Sequence, residues 1–231
     1  QLMGEAAEEM AGRNNVTREE QDVYAVRSHT RAAAAIESGR FDDEVAPVTT
    51  KEGKTVYTDG MVRGDTSIEK LQKLRPVFAR NGTLTAGNSS GLTDGASAVL
   101  VMSEEKAKAL GYTPLAAFRS WGYVGVDPAD QLLMGPALSM PLALQRAGME
   151  LKDVDLVDMH EAFAAQVLSV LNMLKSVGFA RERLGLDKAV GEVDDERFNV
   201  HGGSLSIGHP FAATGARMAM TMANELVRSD K

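Results

Sequence analysis

Apolar residues follow two different rhythms along this chain, and the change falls near residue 96. Before about residue 90 the pattern is helical and loop-rich. Thr17-Arg18-Glu19-Glu20 has the form of a capping box, in which a threonine hydroxyl and a glutamate three residues on satisfy each other's backbone donors. It predicts a helix through Val23, Val26 and the alanine run at 32–35 that stops near Gly39. Segments 41–48 and 54–57 read as extended, Thr58-Asp59-Gly60 as a turn, and 68–74 as a short helix ending before Pro76.

From Ala96 onward short apolar runs alternate with helical patterns. The run 98–102 reads as a buried strand, and Ser103-Glu104-Glu105 caps a helix that ends at Gly111. A second strand is expected at 115–121, and Gly135-Pro136 opens a helix that reaches Gly148. A third strand is expected at 155–159. A helix over 162–177 follows, with Val167, Val170, Leu171 and Leu174 on one face. A glycine-rich strand and turn at 199–210 leads into a last helix over 215–227. Such alternation predicts an α/β layered sheet with right-handed crossovers.

Composition narrows the function classes. The chain has 231 residues, 44% of them hydrophobic, enough for a substantial core. Its net charge of −7 disfavours a nucleic-acid surface, which calls for clustered Lys and Arg. No stretch has the length and apolarity expected of a membrane span. There is no cysteine, so disulfides and thiolate metal sites are excluded.

Two segments carry candidate chemistry. His160-Glu161-Ala162-Phe163 sits where an apolar strand should hand over to a helix, a favoured place for ligands in open α/β sheets. A zinc-protease reading fails there because position 164 is Ala, and no metal site is expected. Gly202-Gly203-Ser204-Leu205-Ser206-Ile207-Gly208-His209-Pro210 places a second histidine among residues small enough to admit a ligand to the backbone. Taken singly, His160 reads as well as a helix cap, and the glycine segment as a sharp turn. Their occurrence together and in this order favours chemistry.

A third segment, Thr85-Ala86-Gly87-Asn88-Ser89-Ser90-Gly91-Leu92-Thr93-Asp94-Gly95-Ala96, precedes them. With it, the chain resembles the thiolases, the acyl-CoA acyltransferases that make or break a carbon–carbon bond beside a thioester. The resemblance runs from residue 3 to the end. His160, where many relatives have Asn, and the long segment between Asn172 and Phe198 resemble the long-chain 3-ketoacyl-CoA branch of fatty-acid β-oxidation.

The resemblance implies an incomplete thiolase-like fold. Residues 1–92 would be the later part of a loop (lid) domain, 93–114 the closing strand and helix of the N-terminal half, and 115–231 the C-terminal half without its last hairpin. It implies His209 as the base that activates a cysteine thiol, and His160 as holder of a water in the oxyanion hole. Glu161 would orient its neighbours. Coenzyme A, as substrate, would lie against Ser90, Arg63, Ala162 and Phe163. His201 and His29 are expected to be non-catalytic, His29 as a surface or packing residue.

Neither family cysteine is present, so the chain is expected to be inactive alone. The resemblance further implies a homo-oligomer, possible membership of a β-oxidation multienzyme complex, and a cytoplasmic location, or the mitochondrial matrix if eukaryotic. A noncatalytic CoA- or acyl-CoA-binding or assembly module of the same fold stays open. A serine-dependent α/β hydrolase is a weaker reading, because no Gly-x-Ser-x-Gly elbow is expected in the chain.

Overall fold

The computed structural model describes residues 2–230. Its centre is a helix buried nearly all round, α6 (Ala164–Leu174), whose Val167, Val170 and Leu174 are fully buried. Three helices, α1 (Met3–Arg13), α2 (Arg18–Glu37) and α5 (Gly135–Ala147), pack on it. The sequence dictates this directly, because α6 carries apolar side chains on every face and has no exposed polar stripe. Met10, Tyr24, Ala137, Met159, Phe198 and Leu205 close the core around it.

The capping signals form as the sequence predicts. Thr17 Oγ1 accepts from the Glu20 N–H and the Glu20 carboxylate accepts from the Thr17 N–H, starting α2. A two-residue hairpin, β1 (Val48–Thr49) with β2 (Thr55–Val56), and α3 (Ile68–Gln72) follow. Ser103 caps α4 (Glu104–Leu110), and Gly111 ends it in the left-handed region, as Gly148 ends α5. The remaining helices are α7 (Val177–Phe179), running into a π-helical turn at Ala180–Leu184, then α8 (Ser204–Ile207) and α9 (Ala212–Ser229).

The strand expectations need correction. Segments 98–102 and 115–121 form no ladder among the described residues, and 155–159 makes only one parallel bridge, Val157 to Phe198. Segment 41–48 opens with a turn over 41–44 and joins a strand only at Val48. A strand exists only through backbone hydrogen bonds to a neighbouring strand, and the first two segments have none among the described residues. Their apolar side chains lie open: Leu100 is 75% exposed, Phe118 70% and Trp121 61%. Helix α6 also starts two residues later than expected, because Phe163 stays extended and pairs with Ser89.

Candidate active site

The loop at 85–92 is the frame on which the site is hung. Glu8 of α1 receives the Thr83 and Leu84 N–H groups at 2.9 Å and fixes where the loop begins. Asn88, fully buried, then folds the loop on itself. Its Oδ1 accepts the Thr85 N–H at 2.7 Å, and its Nδ2 donates to Asp22 of α2 at 3.0 Å. The loop's backbone next reaches both histidine segments. Ser90 N–H donates to the Ala162 carbonyl and Ala164 N–H to that of Asn88, each at 3.0 Å. The His209 N–H donates to the Gly91 carbonyl at 3.3 Å, and Leu92 bridges His209 in parallel register.

The three sequence motifs therefore converge. The His160 and His209 rings stand with centroids 4.0 Å apart, inclined at 39°. Each ring is held from behind by a hydroxyl. His160 Nδ1 is 2.7 Å from Ser204 Oγ, and His209 Nδ1 is 2.7 Å from Thr214 Oγ1. The Nε2 atom of each ring has no hydrogen-bond partner among the described residues.

Burial, with help from His209 and Arg217, pulls the His160 imidazole down to about 4. His209 is lowered too, first by burial and then by Arg217. Both rings are thus neutral at pH 7, and each can present one Nε2 atom as donor or acceptor.

Glu161, beside His160, points away from the ring pair into a polar knot. It is fully buried and accepts four hydrogen bonds. Tyr24 Oη and Ser28 Oγ of α2 donate at 2.7 Å, Asn199 Nδ2 at 2.8 Å and the Leu205 N–H at 3.2 Å. Tyr24 keeps its proton firmly, since burial and then the Glu161 charge raise its pKa well above the ordinary phenol value. These four donors occupy the lone-pair directions of the carboxylate.

The paired glycines serve this knot. Gly202 has φ +72, and a Cβ there would collide with the Ser28 carbonyl oxygen. A Cβ on Gly203 would lie 2.5 Å from the Glu161 carboxyl carbon. Only backbone without a side chain passes between α2 and the carboxylate.

Ser90 and Ala162 are partly buried and joined through their backbones, and Phe163 is buried with its ring edge-on to Phe78. Arg63 is exposed and touches neither imidazole. Its backbone N–H donates to His29 Nδ1 at 3.1 Å, so His29 is a buried anchor of that turn rather than a surface residue. His201 faces away from the ring pair, bonded to Glu225 at 2.8 Å with the Phe41 ring edge-on to it.

One expectation about the elbow was wrong at the level of letters. Gly87-Asn88-Ser89-Ser90-Gly91 does spell Gly-x-Ser-x-Gly. No helix follows it, and Ser89 Oγ is buried without a hydrogen-bond partner, so it is not a nucleophile held by a histidine.

Comparison with known proteins gives the family. Residues 1–105 match the thiolase N-terminal domain and residues 112–231 the thiolase C-terminal domain. The chain belongs to the thiolase family, and its fold is a partial thiolase-like α/β fold.

It is 54% identical over 229 residues to the 3-ketoacyl-CoA thiolase of Pectobacterium atrosepticum, covering 98% of this chain and 52% of that protein. The corresponding protein of Alteromonas mediterranea is 50% identical over 228 residues, with the same coverages. Among solved structures, the Bacillus anthracis acetyl-CoA acetyltransferase superposes with TM-score 0.85 at 42% identity, over 99% of this chain and 54% of that one. Human mitochondrial 3-ketoacyl-CoA thiolase in complex with CoA gives 0.85 at 39%, over 99% and 53%. The chain thus spans about half the length of the relatives it matches.

Proposed function

We propose that these 231 residues supply the histidine half of a thiolase active site, for CoA-dependent cleavage of 3-ketoacyl-CoA to acetyl-CoA and a shortened acyl-CoA in fatty-acid β-oxidation. The observation that carries this reading is the ring pair at 4.0 Å with both Nε2 atoms open.

In this reading His209 Nε2 takes the proton of a cysteine thiol, because the thiolate is the attacking species. Cleavage leaves an enolate on the acetyl-CoA side. His209, now protonated, and a water held by His160 donate to its oxygen. Neither the nucleophilic cysteine nor the second, proton-donating cysteine of the family lies on these residues, so they are inactive alone. Ser90, Arg63, Ala162 and Phe163 line the path of the CoA arm. The complete protein works as a homo-oligomer, open to a β-oxidation complex, in cytoplasm or mitochondrial matrix.

The test is a chimera in which the segments this chain lacks are taken from the Pectobacterium relative. The chain alone should show no thiolysis of acetoacetyl-CoA and the chimera should turn over. His209→Ala and His160→Ala in the chimera should each cost roughly two orders of magnitude or more in rate. A fully folded chimera that binds CoA in calorimetry without any turnover would favour the noncatalytic module, to which the lack of cysteine gives its support.

A further inference from the structure

We propose that Ser204 is a positioning residue for His160: its hydroxyl donates to Nδ1 and so fixes the tautomer that carries its proton on Nε2, the atom that would hold the oxyanion-hole water. This rests on the reading above that His160 holds that water.

The bond is 2.7 Å long and Ser204 is fully buried. Beyond His160, Ser204 Oγ has no hydrogen-bond partner among the described residues. A buried hydroxyl hydrogen needs an acceptor, and the only one offered is the His160 Nδ1 lone pair. The reverse arrangement, with Nδ1–H donating to Oγ, would leave the serine hydrogen buried and unpaired. Ser204 also opens its helix, so no helical carbonyl precedes it to take that hydrogen.

Thr214, behind His209, lies in the first turn of α9 and is buried, with its hydroxyl bonded to His209 Nδ1. The depressed pKa of His160 keeps the ring neutral, a condition for having a tautomer at all. Gly203 and Glu161 hold Ser204 in place, since the Leu205 N–H is bonded to that carboxylate.

The experiment is a long-range 1H–15N correlation on the 15N-histidine-labelled 231-residue chain, which has four histidines to assign. At pH 7 His160 should show the Nε2–H pattern alone. Ser204→Ala should relax it toward a mixture of tautomers, and Ser204→Thr, which keeps the hydroxyl, should restore it. His29 and His201 resonances report whether the fold is intact. An Nδ1–H His160 in the unmodified chain overturns the proposal, as does an unchanged Nε2–H pattern in Ser204→Ala. If Ser204→Ala fails to fold, the unmodified chain and Ser204→Thr still decide. In the chimera, Ser204→Ala should lower kcat about tenfold with little change in KM for CoA. A chimera with no turnover would sink the functional reading while leaving the tautomer result standing.

Discussion

Tyr24 of α2 donates its phenolic hydrogen to Glu161 across 2.7 Å, and the two residues lie 137 positions apart in the chain. Through this bond the helix that opens the chain's core is tied to the residue next to His160. Removing the hydroxyl in Tyr24→Phe leaves a buried carboxylate short of one donor. A loss of about 1–3 kcal/mol in urea unfolding is expected. An unchanged midpoint would mean that the remaining three donors satisfy Glu161 unaided.

Asp158 and His160, on either side of Met159, should nearly cancel in the pH dependence of stability. Burial lifts Asp158 to about 6, against the pull of Arg217. His160 is held near 4. Between pH 4 and 6 the unfolded chain protonates the histidine and ionises the aspartate, whereas the native chain does the opposite. Each state holds one proton on the pair, so these two groups give no slope. Asp158→Asn removes one side of the balance. Unfolding stability of that variant should then climb with pH from 4 to 6.5, by about 3 kcal/mol in all, as the unfolded histidine gives up its proton. A flat profile for the variant in denaturant titrations would contradict it.

Phe211 enters α9 with φ +42 and ψ −102, a conformation that side chains other than glycine rarely adopt. Its ring is 67% exposed and lies 5.2 Å from that of His209. Little burial is lost on truncation, so Phe211→Gly should stabilise the chain by about 1 kcal/mol in thermal or urea unfolding. A clear destabilisation would mean that the ring contact outweighs the strain.

Arg63 tests the path of the nucleotide end of CoA. Its side chain is exposed, and its turn is fixed through the backbone bond to His29. Arg63→Ala should keep the fold and weaken CoA binding in calorimetry by on the order of tenfold, with a smaller loss at high salt. Unaltered binding would make it a solvated surface charge.

What could be read in the sequence was local. The helix ends at Thr17, Ser103, Gly111 and Gly148 depend on residues within one turn, and all four form. The strands at 98–102 and 115–121 could not be judged this way, because a ladder needs a neighbour that a run of apolar residues does not specify. His209 stood out by its small, glycine-rich surroundings, and His160 by its place after an apolar run that should hand over to a helix. Ser204, Thr214 and the Glu161 knot did not. A serine after paired glycines is unremarkable until a ring nitrogen is found 2.7 Å away. For Glu161 the resemblance pointed to an orienting role, but its partners Tyr24, Ser28 and Asn199 lie far from it in the chain.

The bonds that hold the two histidine segments to the 85–92 loop join amide to carbonyl: Ser90 to Ala162, Ala164 to Asn88, and His209 to Gly91. Such a brace is indifferent to which residues decorate it. Side chains along that rim can change size and polarity while the gap between the imidazoles holds. Variation at the rim and constancy of the ring pair are separated at the level of the polypeptide backbone.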